Sequence, residues 1–153
     1  MLTHHAMTED EKYVIADWRY SGDYALYNTR PYEEDRKKGV GFAQPGFIGF
    51  SFYDRDALIG FTCLYEEARE VMIGIGVAPE YCGRGYGREM LETTCGLSET
   101  MFPGKPLYLE VRTWNARAVR CYEKAGFVID GEPFTQRTGL GEGTFYRMML
   151  NKS

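Results

Sequence analysis

The chain has 153 residues, a formal net charge of −4 and a sequence pI of about 5.3, so a nucleic-acid partner is not expected. Hydrophobic residues make up 44% of the sequence, which is enough for the core of one domain spanning residues 1–153. No apolar run is long enough to span a membrane and no signal peptide is visible, so we expect a cytoplasmic protein without a membrane partner.

The N-terminal third predicts short helices joined by irregular segments. Thr8 and Glu11 match the S/T-x-x-E capping box, which predicts a helix from Thr8 to about Trp18. Residues 18–32 predict a loop or short helix, and residues 32–38 predict another short helix. Aromatic and acidic side chains of this region are candidates for an acceptor pocket, although core packing and solvated charge explain most of them: Trp18, Tyr20, Tyr24, Tyr27, Tyr32, Asp17, Asp23, Glu33 and Glu34.

The rest of the chain predicts an α/β fold with a mixed central sheet, antiparallel N-terminal strands and helices on both faces. Asn115 is a good N-cap and Gly126 a good C′ residue for one of the helices. The predicted elements are strands 47–53 and 57–65 as a hairpin, strand 70–77, helix 86–100, strand 106–113, helix 115–125, and strands 127–134 and 144–150.

The strand at residues 70–77 has unequal faces. Its odd-numbered residues from Val71 to Val77 share one apolar face, whereas Gly74 and Gly76 leave the other nearly bare. Glycine inside a strand marks a bulge or the close approach of another group to the backbone. Tight packing of a helix explains the pattern equally well when the strand is taken alone.

A glycine-rich loop follows this strand, with glycines alternating with Arg84 and Tyr86 over residues 83–87. At the start of a helix, such a loop exposes backbone N–H groups that suit phosphate. It matches neither the Walker A motif nor G-x-G-x-x-G, so an ATP-binding protein is disfavoured. Residues 139–143 repeat the glycine spacing between two predicted strands, with no helix after them, and predict a hairpin loop without a ligand.

Histidine and cysteine usage narrows the chemistry. The two histidines, His4 and His5, are adjacent and near the start, which excludes a Ser–His–Asp triad and an H-E-x-x-H zinc site. The four cysteines show no C-x-x-C spacing, so we expect reduced thiols, no disulfide framework and no metal. Acid–base chemistry is therefore expected from Glu, Asp, Tyr or Cys.

Residues 107–126 hold further candidates. Glu110 and Arg112 share one strand face; if helices cover both faces, Glu110 is partly buried and its pKa is raised toward a general-base range. A surface Glu110–Arg112 pair is the alternative, slightly favoured by the strand alone. Asn115 as a helix cap, Tyr122 as a core aromatic and Cys121 as a small buried side chain need no function.

In combination, these motifs resemble the GNAT family of N-acetyltransferases. The order and spacing agree from about Ile59 to Phe127, and the N-terminal third agrees in outline. Residues 107–127 look especially like the branch that acetylates the N-terminal alanine of ribosomal proteins. The matching segments are Val77 to Pro79, Gly83-Arg84-Gly85-Tyr86-Gly87, Leu109-Glu110-Val111, and Asn115 through Tyr122 to Gly126-Phe127.

The resemblance implies the acyl-CoA N-acyltransferase fold and acetyl-CoA as donor. In the family, the backbone of a bulged strand pairs with the pantetheine arm and the glycine loop wraps the pyrophosphate; the equivalent of Glu110 is the base and that of Tyr122 the acid. Cys82 departs from the pattern, which usually has Gln or Arg there, and Arg84 or Arg88 would compensate. The implied binding residues are Ile75, Gly76, Val77, Cys82, Gly83, Arg84, Gly85, Tyr86, Gly87, Arg88 and Asn115.

The expected function is acetyl transfer to a primary amine of a small molecule or a peptide N-terminus. Aminoglycosides, polyamines, amino acids and protein N-termini all remain open as acceptors. The alternative is a non-catalytic acyl-CoA-binding or sensory module on the same fold. A homodimer is a common arrangement in the family, and Glu66, Glu67 and Glu70 are alternative bases to Glu110.

Overall fold

A computed structural model describes residues 1–138 and 141–151 of the chain. The described part forms an eight-stranded sheet with helices packed on it. The strands are β1 (Thr3–Ala6), β2 (Ile48–Asp54), β3 (Ala57–Glu66), β4 (Val71–Val77), β5 (Leu107–Arg112), β6 (Phe127–Ile129), β7 (Phe134–Thr138) and β8 (Gly141–Leu150). The α-helices are α1 (Glu9–Ala16), α2 (Tyr32–Lys38), α3 (Tyr86–Met101) and α4 (Ala116–Lys124).

The strand order is β1-β2-β3-β4-β5-β8-β6, and β7 also pairs with β8. Neighbouring strands of the described residues pair antiparallel, except β4 and β5, which are parallel and joined by the crossover helix α3. The mixed α/β sheet expected from the sequence is therefore confirmed, with the parallel pair at its centre.

Local sequence signals explain several helix ends. Thr8 caps α1 in a complete capping box with Glu11, and the helix ends at Ala16, short of the predicted Trp18. Asn115 caps α4, since its side-chain oxygen accepts from the Ala118 N–H at 3.2 Å. Gly126 follows α4 with a φ of 100°, a left-handed conformation that glycine adopts without steric cost.

Three predictions of strands need correction. The sequence did not predict β1, whose residues are all exposed and which forms by pairing with β2. The predicted strand 127–134 is two strands, β6 and β7, separated by a turn at 130–133. The last strand begins at Gly141, not at residue 144, so Gly141 and Gly143 lie inside β8, while Gly139 lies outside the described residues.

The sheet has two different faces. The face that we call the first face carries the main hydrophobic core beneath α3 and α4, with Leu91 of α3 fully buried against it. We call the opposite side the second face; there α1 packs on β2, and Ser51 donates to the buried Glu11 carboxylate at 2.7 Å. Buried members of the core are Leu64, Val71, Ile73, Leu91, Leu107, Leu109, Val111, Phe127 and Met148.

The glycines of β4 serve its packing on β3. The β3–β4 register runs without interruption from Gly60↔Val77 to Glu66↔Val71, so the bulge expected in β4 is absent from this pairing. A Cβ on Gly76 would lie 2.4 Å from the Phe61 ring, and one on Gly74 would lie 2.7 Å from the Cys63 sulfur. The second face of β4 is therefore covered by side chains of β3, which occupy the space that the glycines leave.

Within the described residues, no helix combines the length and apolarity needed to cross a membrane.

Candidate active site

The two central parallel strands separate soon after they begin. Pairing between β4 and β5 comprises Val71↔Leu107 and Met72↔Tyr108 and goes no further toward the carboxyl ends of the strands. The remaining residues of β4 still pair with β3 on the other side. The separation leaves a gap in the middle of the sheet, which we call the β4–β5 gap.

Main-chain groups of β4 face this gap. The Val71 N–H donates to the Pro106 carbonyl on the β5 side, whereas the Ala78 N–H donates to the Ile59 carbonyl on the β3 side. Because main-chain groups alternate in direction along a strand, those of Ile75 and Val77 point toward the gap. This edge can pair with an extended amide-containing chain as a further strand would.

A cavity of about 720 Å³ surrounds the gap and brings most of the predicted residues together. Its walls are formed by the strands β4 and β5 on either side of the gap, the glycine-rich loop, α4 and the segment before α2. The predicted residues that line it are Ile75, Gly76, Val77, Cys82, Gly83, Gly85, Tyr86, Gly87, Arg88, Glu110, Asn115 and Tyr122. Arg84 is not among its lining residues; it is exposed and its guanidinium lies 5.4 Å from the centre of the Tyr81 ring.

The three glycines of the loop have separate structural roles. Gly83 and Gly85 have φ angles of 78° and 83°, and nothing lies within 4 Å of where their Cβ atoms would be. Gly87 lies in the first turn of α3, where a Cβ would be 2.9 Å from the Cys121 sulfur of α4. No side chain of the described residues caps α3 at Gly85, so its first N–H groups are open to an anion.

Cys82, the residue that departs from the family pattern, faces back toward the end of β4. Its thiol donates a hydrogen bond shared between the Val77 and Ala78 carbonyl oxygens, each of which lies 3.6 Å from the sulfur. Burial raises the pKa of this thiol, and Arg117 opposes the rise. Cys82 thus closes a turn and remains a neutral thiol at neutral pH.

Positive charge reaches the cavity from α4 more than from the loop. Arg88 lines the cavity but its Nε donates to Glu92 at 3.0 Å. Arg117, Arg120 and Lys124 of α4 also line the cavity, at spacings that place them on neighbouring turns of one helix side. This basic side of α4 was not predicted from the sequence, although the sequence shows basic residues three and four positions apart in the predicted helix 115–125.

Asn115 has two partners within the protein. Its side-chain oxygen caps α4, and its Nδ2 donates to the Tyr27 hydroxyl at 3.0 Å. Asn115 is 7% exposed. The amide therefore fixes the start of α4 beside the gap and ties it to the segment before α2.

Segment 20–28 crosses over the cavity. The Tyr20 hydroxyl donates to the Val77 carbonyl at 2.7 Å, and Tyr27 is held by Asn115. Arg117 lies 4.2 Å from the centre of the Tyr24 ring, which also contacts the exposed Trp114. Segment 20–28 contains a 3-10 turn from Gly22 to Tyr27 and connects the end of β4 to the start of α4.

Tyr122 approaches the gap from the first face. It lies on α4, packs against the main core and lines the cavity. Burial raises the pKa of its phenol, with smaller contributions from Cys121 and Tyr27. The hydroxyl therefore carries its proton throughout the neutral range, as a proton donor must.

Glu110 approaches from the second face. It is half-buried, lines the cavity, and its Oε1 accepts from Gln136 Nε2 of β7 at 3.1 Å. Among the ion pairs of the described residues none joins Glu110 to Arg112, so the surface pair considered from the sequence does not form. The alternative bases take part elsewhere: Glu66 pairs with Lys105, Glu67 accepts from Tyr108, and Glu70 pairs with Arg147.

The sequence could not identify Gln136. Residues 134–138 form β7 through pairing with β8, and Gln136 faces Glu110 because both strands flank β8. No local pattern signals a contact between residues 26 positions apart. In residues 1–138 and 141–151, no group of three or more His, Cys, Asp or Glu side chains is arranged to hold a metal ion.

Comparison with known proteins shows the family of the chain. Residues 12–127 match the model of the acetyltransferase (GNAT) family. A spermidine N(1)-acetyltransferase of Vibrio cholerae is 31% identical over 107 residues, covering 69% of this chain and 57% of the relative. The N-alpha-acetyltransferase RimI of Mycobacterium tuberculosis is 39% identical over 74 residues, covering 48% of this chain and 39% of the relative.

Among solved structures, a chimera of the Vibrio cholerae spermidine N-acetyltransferase SpeG with hSSAT superposes with a TM-score of 0.76. It is 24% identical, and the match covers 97% of this chain and 94% of that one, which shows a shared fold. The family match covers most of the chain and includes β4, the glycine loop, Glu110 and Tyr122. The chain therefore belongs to the acetyltransferase (GNAT) family.

Proposed function

We propose that the chain transfers the acetyl group of acetyl-CoA to a primary amine by direct attack at the β4–β5 gap. The observation that carries the proposal is the placement of the two proposed catalytic residues. Glu110 reaches the gap from the second face and Tyr122 from the first. A thioester in the gap would have a base on its acceptor side and a proton donor on its thiol side.

The donor would be held by main-chain groups and by fixed positive charge. The main-chain groups of Ile75 and the Val77 N–H suit the amides of the pantetheine arm, whereas the Val77 carbonyl already accepts from Tyr20 and Cys82. The uncapped start of α3 and the loop at 83–87 suit the pyrophosphate. The basic side of α4, with Arg117, Arg120 and Lys124, offers the charge that Cys82 does not supply.

The proposed reaction uses Glu110, Tyr122, main-chain N–H groups and solvent water. Glu110 accepts a proton from the ammonium of the acceptor, and the amine nitrogen attacks the thioester carbonyl carbon. Main-chain N–H groups near Ile75 and Val77 stabilise the oxyanion. The carbon–sulfur bond breaks, and Tyr122 donates its proton to the departing sulfur. The second proton of the attacking nitrogen restores the Tyr122 phenol through solvent water, and Glu110 releases its proton to solvent. The products are an N-acetylated amine and the free thiol of CoA.

Direct attack is favoured over an acetyl-cysteine intermediate. Two cysteines line the cavity, Cys82 and Cys121, and burial raises the pKa of each thiol. A thiol that stays protonated is a poor nucleophile. The proposal places the enzyme in the cytoplasm, whose reducing conditions keep such thiols reduced.

An assay that measures both the release of CoA thiol and the mass of the amine product tests the proposal. The protein is incubated with acetyl-CoA and a panel of primary amines, and release of CoA thiol is matched to gain of an acetyl group on the amine. We expect amine-dependent release that falls in the Glu110→Gln variant. Acetyl-CoA binding without release across the panel would contradict the proposal and favour a non-catalytic binding module.

A further inference from the structure

Arg112 differs from Arg117 and Arg120, the other cavity-lining arginines without an ion pair among the described residues, because it is half-buried and they are exposed. Arg112, at the end of β5, is half-buried and lines the cavity. Of the ion pairs formed by the described residues, none involves Arg112. A half-buried guanidinium without a counter-charge is costly, and such groups are normally paired with a carboxylate or a ligand.

The protein keeps this guanidinium in place by two contacts. It lies 4.8 Å from the centre of the Phe145 ring, its cross-strand partner on β8. A Cβ on Gly143 would lie 2.3 Å from Arg112 Nη1, so the space for the guanidinium exists only because residue 143 is glycine. The second glycine run thus has a role at the cavity that its sequence did not reveal.

Arg112 lies on the acceptor side of the gap. It is two residues after Glu110 on β5, so both side chains point to the second face, with about 7 Å between their Cα atoms. The loop at 83–87 and the basic side of α4, proposed to hold the phosphates, belong to α3 and α4 on the first face. A CoA molecule bound there leaves Arg112 without an anion.

No polar group of the described residues near Arg112 forms an ion pair with it. Glu110 is held by Gln136, and Tyr27, whose phenol pKa is raised chiefly by burial and lowered by Arg112 among other neighbours, accepts from Asn115. Glu110 and Arg112 therefore present one negative and one positive group side by side. That pair complements an ammonium beside a carboxylate.

We propose that Arg112 binds a carboxylate of the acceptor, so that the preferred acceptor is an α-amino acid whose amine lies at Glu110. This inference rests on the proposed function, because it assumes that Glu110 receives the acceptor amine. It separates the chain from polyamine acetylation, since a second ammonium would meet Arg112 and be repelled.

Matched acceptors test the inference. Phenylalanine, phenylalanine amide and phenethylamine share a side chain that suits the aromatic cavity and differ in the group beside the amine; alanine with its amide and ethylamine forms a second set, and spermidine is the polyamine probe. We expect kcat/KM to be highest for the amino acid in at least one set. In Arg112→Gln this preference should fall roughly ten- to hundredfold, because a charged hydrogen bond is lost.

Three variants make the result specific. Arg112→Lys should restore part of the preference, and Gly143→Ala should reduce it by displacing the guanidinium. Arg137→Gln removes a positive charge from an exposed position of the same hairpin and should leave the preference unchanged. Thermal melting shows whether each variant is folded.

The outcomes separate this inference from the proposed function. Release with spermidine or the simple amines that equals or exceeds release with the amino acids overturns the role of Arg112 and leaves the acetyltransferase proposal standing. The same holds if the amides match the amino acids, or if Arg112→Gln raises only the KM for acetyl-CoA. No release with any amine overturns both.

Discussion

At the scale of single residues, the account depends most on Tyr122. Its phenol lines the cavity, and burial raises its pKa, so it is protonated at neutral pH. We predict that Tyr122→Phe lowers kcat by roughly ten- to a hundredfold, at or below the lower end of the usual range for a general acid, with little change in the KM for acetyl-CoA. The thiolate of CoA is only moderately basic, which limits the loss. Steady-state kinetics checks this, and an unchanged kcat would remove Tyr122 as the acid.

Gln136 should act through Glu110. Its Nε2 donates to Glu110 Oε1 at 3.1 Å, which orients the carboxylate toward the gap. We predict that Glu110→Gln flattens the pH dependence of kcat/KM, because a titrating group is lost. Gln136→Leu should instead shift the profile and lower kcat less, while leaving the KM for acetyl-CoA unchanged. The measurement is kcat/KM against pH for both variants.

Thr135→Val, next to Gln136 on the exposed side of β7, is the matched control and should behave as the wild type. If Glu110→Gln leaves the profile unaltered, the base is another group. If Gln136→Leu matches the control, Gln136 has no positioning role.

The role of a site residue could be predicted from the sequence only where its neighbours in the structure are also close to it along the chain. Asn115, Glu110 and Tyr122 were predicted from motifs within one short stretch, and the structure brings all three to one cavity. Gln136 and Arg112 acquire their surroundings through pairing with β8, which no short-range pattern encodes. Cys82 was the residue that did not fit, and its thiol bonds to the end of β4.

At the scale of elements, the glycine loop can be tested with a matched pair of glycines. Gly85 and Gly104 have φ angles of 83° and 80°, and neither has an atom within 4 Å of its missing Cβ. Alanine at either position should therefore cause about 1–2 kcal/mol of backbone strain, and the cost should be similar at the two positions. Only Gly85 borders the cavity at the start of α3.

We predict that Gly85→Ala and Gly104→Ala lower the free energy of unfolding alike, whereas only Gly85→Ala raises the KM for acetyl-CoA. Urea denaturation and steady-state kinetics on the two variants check this. Equal KM values in the two variants would show that the loop conformation does not matter for the donor.

The attachment of α1 to the sheet should depend on pH. Glu11 is 7% exposed; burial raises its pKa, but donors from Thr8, Tyr53, Ser51 and His5 outweigh burial and lower the pKa from 4.5 to about 2. A lowered folded-state pKa stabilises the fold above the unfolded value, and that stabilisation is lost as the pH falls from about 4.5 to about 2.

We predict that the wild type loses on the order of 3 kcal/mol of stability across this window through Glu11, and that Glu11→Gln shows a shallower pH dependence there. Chemical denaturation at several pH values measures it. Asp10→Asn, at the exposed neighbouring position of α1, is the control. Parallel curves for the wild type and Glu11→Gln would contradict the prediction.

Elements with strong local signals were predicted well. The capping box located the start of α1, and Asn115 with Gly126 located both ends of α4. β1 was missed because all its residues are exposed and its sequence lacks an apolar alternation, so only pairing with β2 makes it a strand. The bulge taken over from the family was wrong for β4, where the opening arises because β5 diverges instead.

At the scale of the whole molecule, the separated strands explain how the parts work together. The sheet divides at β4 and β5, α3 and α4 cover one side, and segment 20–28 crosses over the cavity. The donor and the acceptor can therefore approach one point from opposite faces of one sheet. The central claim is that acetyl-CoA lies in this gap and against the loop that follows β4.

Amide hydrogen exchange with and without acetyl-CoA tests this claim most directly. We predict that acetyl-CoA slows exchange in residues 75–88, which cover the end of β4, the glycine loop and the first turn of α3. Peptides from α2 and from residues 91–101 of α3, which do not line the cavity, should be unaffected. Binding of acetyl-CoA with protection elsewhere and none in residues 75–88 would contradict the account.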